Sequence, residues 1–240
     1  MGVAVEDGVL TGALTVPVRR VRWQRAIRII PSRFPPIDLF ERVADPEDFE
    51  ALYEIEGLTN DRLRDEVGEL RLVAPEDRVF GPGSTYIMAP FTHPNPAGSR
   101  FGDGDFGVYY TARDRATAIA ETVYHRERFL SYTAEPALEI EMRVLEAKLQ
   151  ARLHDLRGMR AELPRIYDPD DYAISQRLGR RLRAEGSHGI AYDSVRRAGG
   201  QCAAVFRPKA LSDCRQTEHL AYVWDGRRIV DVYEKRSYRV

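Results

Sequence analysis

Cysteine, lysine, net charge and long apolar runs are all scarce in this chain of 240 residues. Its two cysteines, Cys202 and Cys214, match neither a zinc-ligand spacing nor a thioredoxin-type pair, and two cannot staple a chain of this size. A reducing, cytoplasmic setting is expected, without a metal. Of 36 basic residues only Lys148, Lys209 and Lys235 are lysines, a bias that fits a GC-rich coding genome better than phosphate recognition. The formal net charge of −1 gives no global basic field, so no direct nucleic-acid partner is expected. No stretch approaches the roughly 18 consecutive apolar residues of a membrane helix. Met1 to Leu14 carries Glu6 and Asp7 with no basic start, unlike a signal peptide. Internal repeats, low-complexity tracts and Ser/Gly linkers are absent.

What is present is an apolar share of 43%, enough for a sizeable core. Val21 to Ile30 reads as a strand, stopped by Pro31, Pro35 and Pro36. Asp45-Pro46 opens a helix carrying Phe49, Leu52 and Tyr53, and a second short helix is expected near Asp61 to Val67. Ala74 to Gly107 is dense in turn residues and reads as a long loop with one short strand at Tyr86 to Ala89. Gly107 to Thr111 reads as a strand, and Asp114 caps a helix whose Ala116, Ile119, Ala120 and Val123 form an apolar face. A strand over Ala137 to Leu145 follows, then a helix opened by Asp168-Pro169 and ended at Gly186. Short strands at His188 to Tyr192 and Cys202 to Phe206 and a hairpin around Asp225-Gly226 complete the chain. This order is not the regular alternation of a parallel sheet. The expected class is α+β, a mixed β core with flanking helices, divided into an N-terminal elaboration (1–83) packed on a catalytic region (84–240).

The glycine-rich runs GPGS and GDGDFG carry neither a GK[ST] ending nor GxGxxG placement, so turns are their expected role. Asp103 and Asp105 lack the further oxygen ligands of a calcium loop. The five histidines show no zinc spacing, and no Gly-x-Ser-x-Gly elbow accompanies them. Arg177, Arg180, Arg181 and Arg183 read as a solvated helix face.

The informative stretch is Ser99-Arg100-Phe101-Gly102, Gly107-Val108-Tyr109-Tyr110-Thr111 and Ala118-Ile119-Ala120-Glu121-Thr122, followed far downstream by Gly189-Ile190-Ala191-Tyr192-Asp193-Ser194. A loop arginine, a strand tyrosine, a helix glutamate and a later serine in this order resemble the RES-domain family of bacterial toxin-antitoxin toxins. The matching positions are Arg100, Tyr110, Glu121 and Ser194. The resemblance implies a fold like that of ADP-ribosylating toxins, with NAD as substrate in the cleft. Members of the family act as mono-ADP-ribosyltransferases, NAD phosphorylases or NAD glycohydrolases. The resemblance also implies a cognate antitoxin that occludes the NAD cleft. The binding-only alternative is a module that has kept the fold and lost turnover.

The residue types suit this chemistry. Cleaving the nicotinamide–ribose bond builds positive charge on the ribose, which an ionised Glu121 stabilises more in the transition state than in the ground state. The planar fork of Arg100 suits paired phosphate oxygens, and Arg33, just past the first strand, is a second candidate contact. Tyr110 offers a ring face and a hydroxyl, and Ser194 a small donor and acceptor, for positioning the nicotinamide–ribose unit. Ile119 stands where arginine-modifying transferases place an acid or amide two residues before the glutamate, so an arginine acceptor is disfavoured. The long N-terminal region favours a protein target for ADP-ribosylation over a small-molecule acceptor.

Overall fold

A computed structural model describes residues 3–5, 14–32 and 68–236. The two helices expected between 45 and 67, and Arg33, lie outside the described residues. Strands β1 (Val3–Val5) and β2 (Leu14–Val16) pair with each other. The central sheet contains β3 (Val18–Pro31), β4 (Tyr109–Ala112), β5 (Leu138–Asp155), β6 (Gly189–Asp193), β7 (Gln201–Val205), β8 (Leu211–Trp224) and β9 (Ile229–Lys235). Their order is β3-β4-β7-β6-β5-β8-β9, and β3 also pairs with β5, so five strands close into a ring. Among the described residues, only β5 and β6 run parallel. Helices α1 (Ser84–Thr92), α2 (Arg115–Leu130) and α3 (Ala173–Ala184) flank it. The class is α+β, as the sequence implies. β3 falls within the segment 1–83 and is hydrogen bonded to β5 from Val18↔His154 to Pro31↔Met142.

Strand alternation divides the interior into two apolar clusters. On β7, Cys202 and Ala204 pack with Ile27, Phe101 and Tyr192, whereas Ala203 and Val205 pack with Trp23, Tyr109 and Leu149. The same period separates Tyr109, fully buried in the second cluster, from Tyr110, which faces the first.

The sequence signals hold where local chemistry dominates. The Asp114 carboxylate accepts from the Thr117 backbone N–H at 2.9 Å and so caps α2. At the end of α3, Gly186 (φ +80°) lets its own N–H bond to the Arg183 carbonyl and the Ser187 N–H to that of Leu182, satisfying the last turn. Two expectations are corrected. Tyr86 to Ala89 is part of helix α1, not a strand; a short apolar run has no decisive period, and burial of Ile87, Met88 and Phe91 selects the helix. Asp168 does not cap α3 directly: its carboxylate accepts from the N–H groups of Asp170 and Asp171, an Asx-type turn that ends before the helix begins at Ala173.

Helix α3 touches the site loop backbone to backbone. A Cβ added at Gly179 would lie 2.1 Å from the Phe101 carbonyl oxygen, where no side chain can yield. Gly179→Ala is expected to destabilise the protein by about 1–3 kcal/mol in urea unfolding and to displace the loop that carries Arg100.

His154 on β5 is buried, with Nδ1 2.9 Å from Ser187 Oγ. Burial pushes its pKa below the ordinary imidazole value, with Glu185 opposing. The unfolded chain therefore takes up this proton first as pH falls. The associated stability is present above a pH of about 6.5 and lost as pH drops through the folded value. His154→Gln is expected to flatten the decline of Tm on acidification.

Candidate functional site

A cavity of about 250 Å³ opens between α2, β3, β4 and the loop before β4. Each wall has a local cause. On α2, Ala118, Glu121, Thr122 and His125 recur at helical spacing, so one face of the helix lines the cavity. On β4, alternation brings Tyr110 to it, and on β3 the same rule turns Ile27 and Ile29 to it, while the Arg28 guanidinium lies against Tyr109.

Arg100 is 8% exposed, and its guanidinium is held rather than loose. Nη1 donates to the carbonyls of Ile166 (3.0 Å) and Asp168 (2.8 Å), and the group stacks over Tyr172 at 4.5 Å. Among the described residues, Nη2 and Nε carry no hydrogen bond. The Tyr110 hydroxyl is committed to the same loop: it accepts from the Phe101 N–H at 2.8 Å and meets Ser99 Oγ at 2.9 Å. Burial pushes its pKa up to about 12, so it stays protonated. Its ring face is what remains for a ligand.

Glu121 is fixed through one carboxylate oxygen. Oε1 accepts from Ser194 Oγ at 2.5 Å and from the Cys202 thiol at 3.8 Å. Burial, reinforced by Glu121, pushes the Cys202 thiol well up, so it remains a donor. Ser194 is 2% exposed and does not line the cavity. Its oxygen also accepts from the N–H groups of Arg196 (3.1 Å) and Arg197 (3.0 Å), so its hydrogen-bonding capacity is fully used in orienting Glu121.

The structure thus brings Arg100, Tyr110 and Glu121 to one cavity and puts Ser194 behind Glu121. Arg33 lies outside the described residues. Sequence reasoning missed Arg28, His125 and Tyr172. Arg28 stacks over Tyr109 at 4.8 Å and donates to the Tyr110 carbonyl at 3.0 Å, with burial lowering its pKa. Its signal was available as the single charge between Ile27 and Ile29. His125 was legible one helical turn beyond Glu121; desolvation pushes its pKa below the usual imidazole value and Glu121 opposes. Tyr172 had no local signal, because it meets Arg100 only through the folding of a distant loop.

The rejected motifs have structural explanations. Asp103 and Asp105 of the GDGDFG run both pair with Arg180, which pins the loop to α3. Cys202 and Cys214 are both buried, and no disulfide joins them. Among the described residues no helix is long and apolar enough to cross a membrane.

Comparison with known proteins adds a family match. The RES domain model matches residues 75–225. The "Uncharacterized protein y4oC" of Sinorhizobium fredii (strain NBRC 101917 / NGR234) is 38% identical over 208 residues, which cover 86% of this chain and 85% of that protein. A chain in the crystal structure of the M. tuberculosis MbcT-MbcA toxin-antitoxin complex is similar over 83% of this chain and 86% of its own length, with 12% identity and a TM-score of 0.45. That likeness is too distant to transfer an activity.

Proposed function

We infer the function from one premise: the chain belongs to the RES-domain family. We propose that it is the toxin of a toxin–antitoxin pair, acting in the cytoplasm. In this reading it cleaves NAD at the nicotinamide–ribosyl bond and passes ADP-ribose to a protein, as a mono-ADP-ribosyltransferase. A nucleotide-metabolism enzyme is the expected class of target. The cognate antitoxin would silence it by occluding the cavity.

The observation that carries this reading is the half-anchored Glu121. Its Oε1 is taken by Ser194 and Cys202, while Oε2 accepts no hydrogen bond among the described residues. A fixed carboxylate with one free oxygen on a cavity wall is what a developing ribosyl cation requires, and the charge is already oriented before reaction. Arg100 supplies a guanidinium group on the same cavity for the pyrophosphate of the substrate. The Nη2 and Nε donors of Arg100 are the ones available to it. Tyr110 supplies a ring face and holds the Arg100 loop. Ser194 acts by orienting Glu121, and Arg33 is a further proposed phosphate contact. The protein acceptor is favoured by the residues 1–83, since water and phosphate need no docking surface.

The test is incubation of the purified chain with NAD labelled in the adenylate part, with and without phosphate and with cell lysate. Nicotinamide release with label on a discrete protein is the expected result. Free ADP-ribose or its phosphate ester would instead establish a glycohydrolase or a phosphorylase. No nicotinamide release under any condition would overturn the enzyme reading in favour of an antitoxin-binding module.

A further inference from the structure

Away from the cavity, the outer face of the ribbon formed by β3 and β5 carries cations with no acidic partner among the described residues. Arg20 opposes Arg152 and Arg22 opposes Gln150 in the β3–β5 register. Val21, Trp23, Leu149 and Leu153 are buried on the inner face, so alternation turns Arg20, Arg22, Gln150 and Arg152 outward, and all four are exposed. Neighbouring cations have acidic partners: Arg19 has Asp155, Arg25 has Glu146 and Lys148 has Asp213. Among the described residues, Arg20, Arg22 and Arg152 have none. Like charges directly opposite on paired strands destabilise a sheet, so folding alone gives no reason for the Arg20–Arg152 pair. The two also line one surface depression, with Val18 and His188 at its margin.

We propose that this face binds the phosphate backbone of a nucleic acid. Arg20 and Arg22 are two residues apart, about 6.7 Å along the strand, and Arg152 sits across the ribbon at about 4.8 Å. The result is a compact set of planar forks suited to successive phosphate oxygens. The chemistry of the face disfavours a protein partner. A protein interface needs a buried apolar or aromatic centre, whereas this face presents guanidinium and amide groups. The exposed large apolar residues, Phe129, Tyr132, Val230 and Tyr233, belong to α2, its end and β9. A phosphate backbone needs only charge and donors. The chain's net charge of −1 excludes a global field, not a local one. No residue of this face lines the proposed NAD cavity, so the two readings stand or fall separately.

The test uses the full chain and fluorescence anisotropy with a short labelled duplex DNA and a short labelled single-stranded RNA. Neutralising three phosphates predicts affinity falling about 40-fold for the duplex and about 20-fold for the single strand between about 50 and 200 mM salt. The variant Arg20→Gln/Arg22→Gln/Arg152→Gln is expected to lose this binding and its salt dependence while keeping any nicotinamide release and a Tm no lower than the parent's, because a like-charge pair is removed. Arg152→Gln alone is the second variant if the triple one fails to fold, and it should weaken binding and flatten the salt slope by about one unit. Preference for one probe identifies the source of the phosphates; equal binding of both identifies the shared backbone. The proposal is overturned if neither probe binds, if the variants bind as tightly as the parent, or if a poly-glutamate peptide competes as well as either nucleic acid.

Discussion

Replacing Glu121 by glutamine is expected to slow nicotinamide release from NAD by about 10²–10³-fold while leaving the protein folded. The amide has the shape of the carboxylate, and its oxygen can still accept the Ser194 hydroxyl that now lies 2.5 Å from Oε1. What is lost is the charge, which matters only as positive charge develops on the ribose. The effect should therefore fall on kcat rather than on KM. Growth arrest on expression should be relieved in parallel. The check is steady-state kinetics of nicotinamide release beside a thermal melt. A rate within tenfold of the parent would remove Glu121 from the chemistry, and a collapsed melt would mark it as a structural residue instead.

Arg100→Lys is expected to produce the second large effect, and of a different kind. The charge is kept but the fork is not. A lysine ammonium cannot span the carbonyls of Ile166 and Asp168, stack on Tyr172 and still present donors to a phosphate. Leaving a buried carbonyl unsatisfied costs about 1–3 kcal/mol, and the loss of paired donors should raise KM for NAD by about tenfold or more. Urea unfolding and the separate fitting of KM and kcat distinguish the two components. An unchanged KM with lowered stability would confine Arg100 to holding the 166–172 loop against its own.

These expectations separate the residues that face the cavity from those that hold them. Glu121 and Arg100 each spend one end on the protein and leave the other for a ligand. Ser194 spends everything on the protein, and Tyr110 spends its hydroxyl and keeps its ring. This division follows from hydrogen-bond capacity and burial. No residue identity alone discloses it, since a serine after a strand reads equally well as a ligand contact or as an orienting group.

Much of the architecture was legible in the sequence because it is governed by local chemistry. The Asp114 cap, the Gly186 terminus of α3, the strand containing Tyr110 and the hairpin at Asp225-Gly226 are each specified within a few residues. The order of Arg100, Tyr110, Glu121 and Ser194 gave the family. Local rules failed where period was ambiguous or the partner was distant. Tyr86 to Ala89 reads as a strand until its burial is known, and Asp168 reads as a helix cap until its carboxylate is seen to close an Asx-type turn ahead of the helix.

The sequence by itself determined the α+β class, the family and the residues at the centre of the candidate site, because capping, alternation and motif order act through neighbours in the chain. Only the tertiary structure decided that β3 and β5 close a ring of strands, that Ser194 stands behind Glu121, and that Arg20, Arg22 and Arg152 gather on one face of a nearly neutral chain. Those outcomes depend on contacts between segments more than seventy residues apart, set by the joint burial of two apolar clusters and carried by no single stretch of sequence.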